Sequence, residues 1–172
     1  MGRFRPHSIL GWALANFILT RYRGGIRGSM TNIPCDYFRR DQEKGVTAPD
    51  LSEDCTYAEH IVRARGKRTQ LTSVSLDPAK IHDFGSTLYQ ALRQVINQDQ
   101  HTVVEHPELL SYLRLAAESS KKAERARAIQ AQRYAKRRLE GLVKWSFSLE
   151  GVDRSELIPW AFRNIQKYFR KV

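Results

Sequence analysis

Apolar residues occur along this chain in short, separated runs whose period changes several times. In the first informative run, at 33–38, Pro34 delays any strand until after the proline, which has no N–H for a ladder. Residues 45–52 have turn character, with Pro49-Asp50 placed to open a helix. From Asp54, the run Cys55-Thr56-Tyr57-Ala58-Glu59-His60-Ile61-Val62 predicts a short helix with Tyr57, Ile61, Ala58 and Val62 on its apolar face. The basic run 63–68, broken by Gly66, predicts a solvent-facing loop, and 69–76, dominated by Thr, Val, Leu and Ser, predicts a strand. Asp77-Pro78 is a helix-start signal; Ile81, Phe84, Leu88, Leu92 and Val95 follow at helical spacing, with Gly85 as a break. A short strand is predicted at 102–104. From Pro107 one long helical pattern runs to about Arg138, with Leu109, Leu110, Leu113 and Leu115 at its apolar start. Its second half is rich in good helix formers, and its thin stripe is Ala123, Ala126, Ile129 and Tyr134. Val143, Trp145, Phe147 and Leu149 alternate with polar residues, the clearest period-two strand in the chain. Asp153-x-x-Glu156 predicts a capping box opening a last helix through Leu157, Trp160, Ile165 and Phe169. Few, separated strands among helices, without internal repeats, give an α+β class.

The 172 residues suit one domain with one core, and a 41% apolar fraction excludes wholesale disorder. Charge changes the picture more. With 29 Lys plus Arg against 18 Asp plus Glu, the net charge is +11, which favours association with polyanions, either nucleic-acid phosphates or anionic lipid. A soluble enzyme that is merely basic is the alternative. Cys35 and Cys55 lack the paired spacing of a zinc site; a disulfide between them stays open, and reduced thiols of a cytoplasmic protein are the favoured reading.

Residues 8–20 (SILGWALANFILT) form an apolar run flanked by arginines, too short to span a bilayer and without a small-x-small cleavage site after it. The run reads as a surface or core-docked helix, or as sequence preceding a true start at Met30. Gly24-Gly25-Ile26-Arg27-Gly28 would suit purine-rich codons of the kind found in a ribosome-binding site, and the start at Met30 is favoured because the recognisable part of the chain begins just after it. The expected organisation is an extension at 1–29 and a domain at 30–172, with no stable membrane insertion.

Three polar residues stand at the edges of strand-like runs: Arg39 after Tyr37-Phe38, Ser73 within Leu71-Thr72-Ser73-Val74-Ser75, and Glu140 within Leu139-Glu140-Gly141-Leu142-Val143. A cation, a hydroxyl and a carboxylate are what is needed to hold a dinucleotide and stabilise a sugar cation. In that order the chain resembles the mono-ADP-ribosyltransferase fold of bacterial toxins, whose R-S-E class carries Arg, Ser-x-Ser and Glu. The resemblance spans roughly residues 35–158. It implies an ADP-ribosyltransferase-like split β-sandwich with peripheral helices and one long basic helix, and NAD as the substrate. It further implies a toxin or phage-defence effector, with an antitoxin protein as a partner class.

By the same resemblance Arg39 binds the NAD phosphates or ribose, with Arg40 as a register alternative. Ser73 orders the nicotinamide pocket, flanked by Thr72 and Ser75, with His60 beside it. Glu140 is the catalytic carboxylate, and Glu150 is a less well placed substitute. Where the family carries Glu or Gln two residues before the catalytic Glu, this chain has Arg138, which leaves the acceptor open. The basic runs Arg65, Lys67, Arg68 and Lys136, Arg137, Arg138 flank these stretches and point to RNA or DNA as the acceptor. The competing reading is a non-catalytic basic nucleic-acid-binding module. His101 and His106, with Glu105 and Glu108, match no metal-ligand spacing and read as solvated or helix-capping residues; no metal is expected.

Overall fold

The computed structural model describes residues 36–63, 68–81 and 85–172. The expectations for 1–29, for Cys35 and for most of the basic loop, Arg65 and Lys67 included, fall outside the described residues. Six strands form one antiparallel sheet: β1 (Tyr37–Asp41), β2 (Leu71–Ser75), β3 (Thr87–Ala91), β4 (Thr102–Val104), β5 (Glu140–Lys144) and β6 (Phe169–Lys171), in the order β4-β5-β2-β1-β3-β6. Among the described residues five helices accompany it: α1 (Tyr57–Val62), α2 (Arg93–Gln98), α3 (His106–Ala116), α4 (Lys122–Arg138) and α5 (Leu157–Ile165). The architecture is α+β.

The sheet consists of two three-stranded halves. β2 pairs with β5 over five register positions, and β1 pairs with β3 over five. Between the halves, β1 and β2 share one register pair, Phe38 opposite Ser75. Away from that pair no further register pair joins them, leaving a seam through the middle of the sheet.

Alternation along the strands assigns side chains to two faces. On one face Tyr37, Val74, Tyr89, Val103 and Val143 meet Ile96 of α2 and Ile165 of α5, together with Trp145, Tyr168 and Phe169. On the other, Leu71, Val104 and Leu142 are covered by Ala58 and Ile61 of α1, Leu109 and Leu113 of α3, and Ala128, Ala131 and Ala135 of α4. Tyr37 spans the seam on the first face. Its hydroxyl donates to Glu105 Oε2 (2.9 Å) and accepts the His106 backbone N–H (2.7 Å), tying β1 to the start of α3. The ring lies against Gly141 of β5, where an added Cβ would stand 2.6 Å from a ring carbon.

Several sequence expectations are corrected. Pro49-Asp50 opens no helix. Instead Thr56 caps α1, through a capping box with Glu59, and the Asp50 side chain closes a turn onto Ser52. Asp77-Pro78 starts only a single 3₁₀ turn, Pro78–Lys80, and Leu88 belongs to β3 rather than to a helix. Pairing with β1 overrides the helical spacing here. Gly85 permits a close approach to the Asp41 carbonyl, 2.2 Å from where a Cβ would be.

The long helix is two helices, α3 and α4, broken around Ser119, whose hydroxyl bonds Glu124 and the Lys121 N–H. One unbroken helix of that length would extend about 48 Å, well past a sheet of five-residue strands. Its second half buries Ala128, Ala131 and Ala135; of the expected stripe Tyr134 packs partly buried against them, while Ala123, Ala126 and Ile129 are exposed. Small side chains let α4 lie close to α1 and α3. Finally, the strand expected through Leu149 ends at Lys144, because both neighbouring ladders end there, at Thr102 and Leu71. Trp145 and Phe147 continue instead as a stacked pair in the first core. Phe169 lies in β6, not in the last helix.

Because the Tyr37 ring occupies the space above Gly141, Gly141→Ala is expected to destabilise the fold by about 1–3 kcal/mol through overpacking. The measurement is the urea midpoint at constant m-value; an unchanged midpoint would contradict the packing described.

Candidate functional site

Four side chains from four elements meet at the seam. β1 supplies Arg39, α1 supplies His60, β2 supplies Ser73, and β5 begins with Glu140. The chain passes from helix to strand through one residue, Leu139, in the left-handed conformation (φ 47°). A non-glycine residue there carries strain of about 1 kcal/mol. The joint places Glu140 as the first residue of β5, on the same face as Leu142. Two groups hold the joint on its far side: Ser75 Oγ donates to the Arg138 carbonyl, and the Leu76 N–H bonds the Leu139 carbonyl at 3.1 Å. On the strand itself, the Glu140 carbonyl accepts from His106 Nδ1 at 2.9 Å.

The register makes Ser73 and Glu140 diagonal neighbours: Ser75 lies opposite Glu140, and Ser73 opposite Leu142. Ser73 Oγ donates to Glu140 Oε1 at 2.7 Å. His60 Nε2 lies 2.9 Å from the same hydroxyl, and its Nδ1 meets Thr69 Oγ1. Burial, reinforced by the positive charges of Arg39 and Arg63, lowers the His60 pKa to about 4, so the imidazole is neutral at physiological pH.

Arg39 starts on the face of Tyr37 and Tyr89, yet its guanidinium donates to the Ser73 carbonyl across the seam at 2.7 Å. Its Nε donates to Asp41 Oδ2 at 2.8 Å. Asp41 is wholly buried and also accepts from the Gln42 N–H, the Thr47 N–H and the Thr47 hydroxyl. Desolvation pushes the Arg39 pKa down, while Asp41 and then Glu140 push it back up. A second guanidinium, Arg138, stands 3.9 Å from Glu140 Oε2. Arg39 and Glu140 are only 6% and 2% exposed. The site is a closed seam rather than an open bowl.

The other expected residues are placed as follows. Thr72 points to the opposite face, where its hydroxyl accepts from the Trp145 indole N–H at 2.9 Å; adjacent strand residues cannot both face one site. Ser75 is committed to the turn, bonding Asp77 and Arg138. Arg40 turns away, its guanidinium donating to the Ser86 carbonyl. Glu150 is exposed in a turn beyond β5. Lys136, Arg137 and Arg68 are exposed, and Arg137 and Arg138 lie over the Tyr134 ring at 5.5 and 5.4 Å.

His101 is not solvated. It is buried among Trp145, Phe147 and Tyr168, accepts the Ser146 N–H, and meets the Tyr168 hydroxyl at 2.9 Å. No group of three or more His, Cys, Asp or Glu among the described residues is arranged to hold a metal ion. Asp41 and Thr69 were missed by sequence reasoning. Asp41, two residues from Arg39 on one strand face, was the legible signal; Thr69 offered none.

A separate cavity of about 510 Å³ lies at α1, lined by Cys55, Tyr57, Glu59, Tyr112, Arg127 and Lys144 among others. None of Arg39, His60, Ser73 and Glu140 lines it. Comparison with protein-family models, with curated proteins and with solved structures found no match for this chain. No helix among the described residues is long and apolar enough to cross a membrane.

The His60 imidazole carries a sign for acid stability. Its folded pKa of about 4 lies below the ordinary 6.5, so between these values the unfolded chain binds a proton that the folded chain refuses. Stability is therefore full above pH 6.5, falls as pH drops toward 4, and levels below it. The groups facing the ring are Arg39, Arg63, Thr69, Ser73 and, through Ser73, Glu140. The loss is at most about 3 kcal/mol. Urea midpoints at about pH 7.5 and pH 4.5 should show a drop in the wild type that shrinks in His60→Gln.

Proposed function

We propose that this chain is an NAD-consuming mono-ADP-ribosyltransferase whose acceptor is an anionic macromolecule, RNA or DNA in the first instance. The observation that supports the reading is the convergence of Arg39, Ser73 and Glu140, which lie 34 and 67 residues apart in the chain, in hydrogen-bonded series across one seam. Chance placement of three widely separated polar groups leaves them on unrelated surfaces. The near-division of the sheet at β1 and β2 is in keeping with a split β-sandwich, in which the substrate cleft opens between the halves.

The roles follow from the chemistry of the side chains. The Arg39 guanidinium is a planar donor set suited to a pyrophosphate. A bound dinucleotide would take up its bond to the Ser73 carbonyl, while Asp41 keeps the guanidinium aimed. Glu140, oriented by Ser73, supplies negative charge beside the ribose carbon as the bond to nicotinamide breaks and its electron pair leaves with that base. The nicotinamide is already cationic, so no acid is needed to expel it. The joint between halves, with a single register pair, gives way at less cost than a full ladder would.

Arg138 bears on the acceptor. A guanidinium stays protonated at physiological pH, so it can attract an acceptor but cannot remove a proton from one. A nucleophile that arrives carrying negative charge fits such a neighbour. The exposed Lys136 and Arg137 in the same helical turn extend the positive field that would draw a polyanion there.

Glu140→Gln keeps the size and most of the hydrogen bonding of the side chain while removing its charge. NAD consumption by the variant, in the presence of RNA or DNA, is expected to fall about 100-fold or more, with far-UV circular dichroism and the urea midpoint little changed. Equal turnover by variant and wild type, or none by either with any acceptor, would pass the chain to the alternative of a non-catalytic nucleic-acid-binding module.

A further inference from the structure

The hydrogen-bond chain at the seam has a direction that follows from counting protons. The Ser73 hydroxyl donates to Glu140 Oε1 at 2.7 Å, so its proton points at the carboxyl group. That hydroxyl has one proton only. Its contact with His60 Nε2 at 2.9 Å therefore needs the imidazole to be the donor. With Nε2 protonated and the ring neutral, Nδ1 carries the lone pair, and the Thr69 hydroxyl must donate to it. Thr69 is consistent with this, since its oxygen also accepts the Leu71 N–H at 3.3 Å. Every bond then runs one way: Thr69 to His60, His60 to Ser73, Ser73 to Glu140.

We propose that His60 is a positioning residue for Glu140, held as the Nε2–H tautomer so that Ser73 is compelled to donate its only proton to the carboxylate. The ring acts on Glu140 through the Ser73 hydroxyl between them. Were Nε2 the acceptor, Ser73 could turn its proton to the ring, and Oε1 would lose its donor. The bonds of the series also polarise one another, so fixing the outer end strengthens the inner one. The α1 capping box at Thr56 and Glu59, with the Glu59–Arg127 ion pair at 2.7 Å to α4, fixes the helix that presents the ring. That His60 matters for turnover rests on the transferase reading; its tautomer and its bond to Ser73 do not.

The experiment is made on the full chain with ¹⁵N-histidine labelling and two variants. The long-range ¹H–¹⁵N spectrum of the wild type near neutral pH should show His60 with a protonated Nε2 and an unprotonated Nδ1. An Nδ1–H tautomer, or a doubly protonated ring, overturns the proposal whatever the activity. For turnover, the Gln amide nitrogen reaches the position of Nε2 and can donate to Ser73, whereas the Asn amide nitrogen reaches only the position of Nδ1. His60→Gln should therefore retain kcat for NAD consumption within about threefold, while His60→Asn loses about tenfold to a hundredfold with KM little changed. Equal kcat for the two variants overturns the positioning role. If the wild type consumes no NAD, the transferase reading fails by itself, and the tautomer is still decided by the spectrum.

Discussion

Between β1 and β2 the backbone ladder has one register pair, and past it a guanidinium does the work of a strand. The Arg39 bond to the Ser73 carbonyl ties the two halves of the sheet where main-chain pairing has lapsed. The cost is a cation taken out of water, offset in part by Asp41, which sits against it with a full complement of donors of its own. Removing Asp41 would leave a buried positive charge in the middle of the sheet. The Tyr37 ring against Gly141 ties the halves together a second time, on the core face. Much of what is unusual in the fold serves to hold this seam closed but divisible.

The same seam collects the chemistry. A conventional central pair of strands would fill the space between β1 and β2 with alternating apolar side chains, leaving no room for a polar network. α1 presents His60 to Ser73, and the one-residue joint at Leu139 starts β5 with a carboxylate. The three basic residues of the last turn of α4, Lys136, Arg137 and Arg138, offset the negative end of the helix dipole, which would otherwise stand beside Glu140. Strain at Leu139, burial at Arg39 and charge at Arg138 thus bear on one side chain.

The +11 charge and this polar network divide the labour. Exposed arginines and lysines set a long-range field that salt screens. The buried groups are screened much less, and under the proposed function they would act on bound substrate. Basic surface alone would suit a binding module as well as an enzyme; the ordered Arg39, Ser73 and Glu140 series is what favours the enzyme.

The sequence by itself determined the elements with strong local signals. β2, β4 and α1 stand in the runs that predicted them, to within the capping residues, because β-branched runs and a Thr-x-x-Glu box act over a few neighbours. It also held the order of Arg, Ser and Glu, since strand-edge polar residues are legible as breaks in apolar runs. What only tertiary structure decided was partnership. Leu88 went to a strand because β1 offered a ladder, and the strand after Lys144 ended because both of its neighbours had. The helix at 107–138 broke because a folded pair buries more of its small-residue face than one rod can. Thr72 and Ser73 were indistinguishable by composition, and only the pleat, once paired to β5, sent one to the Trp145 indole and the other to Glu140. Thr69 entered the site only through the packing of α1 beside the start of β2, where no local pattern records it; Asp41 stood two residues from Arg39, within the reach of one.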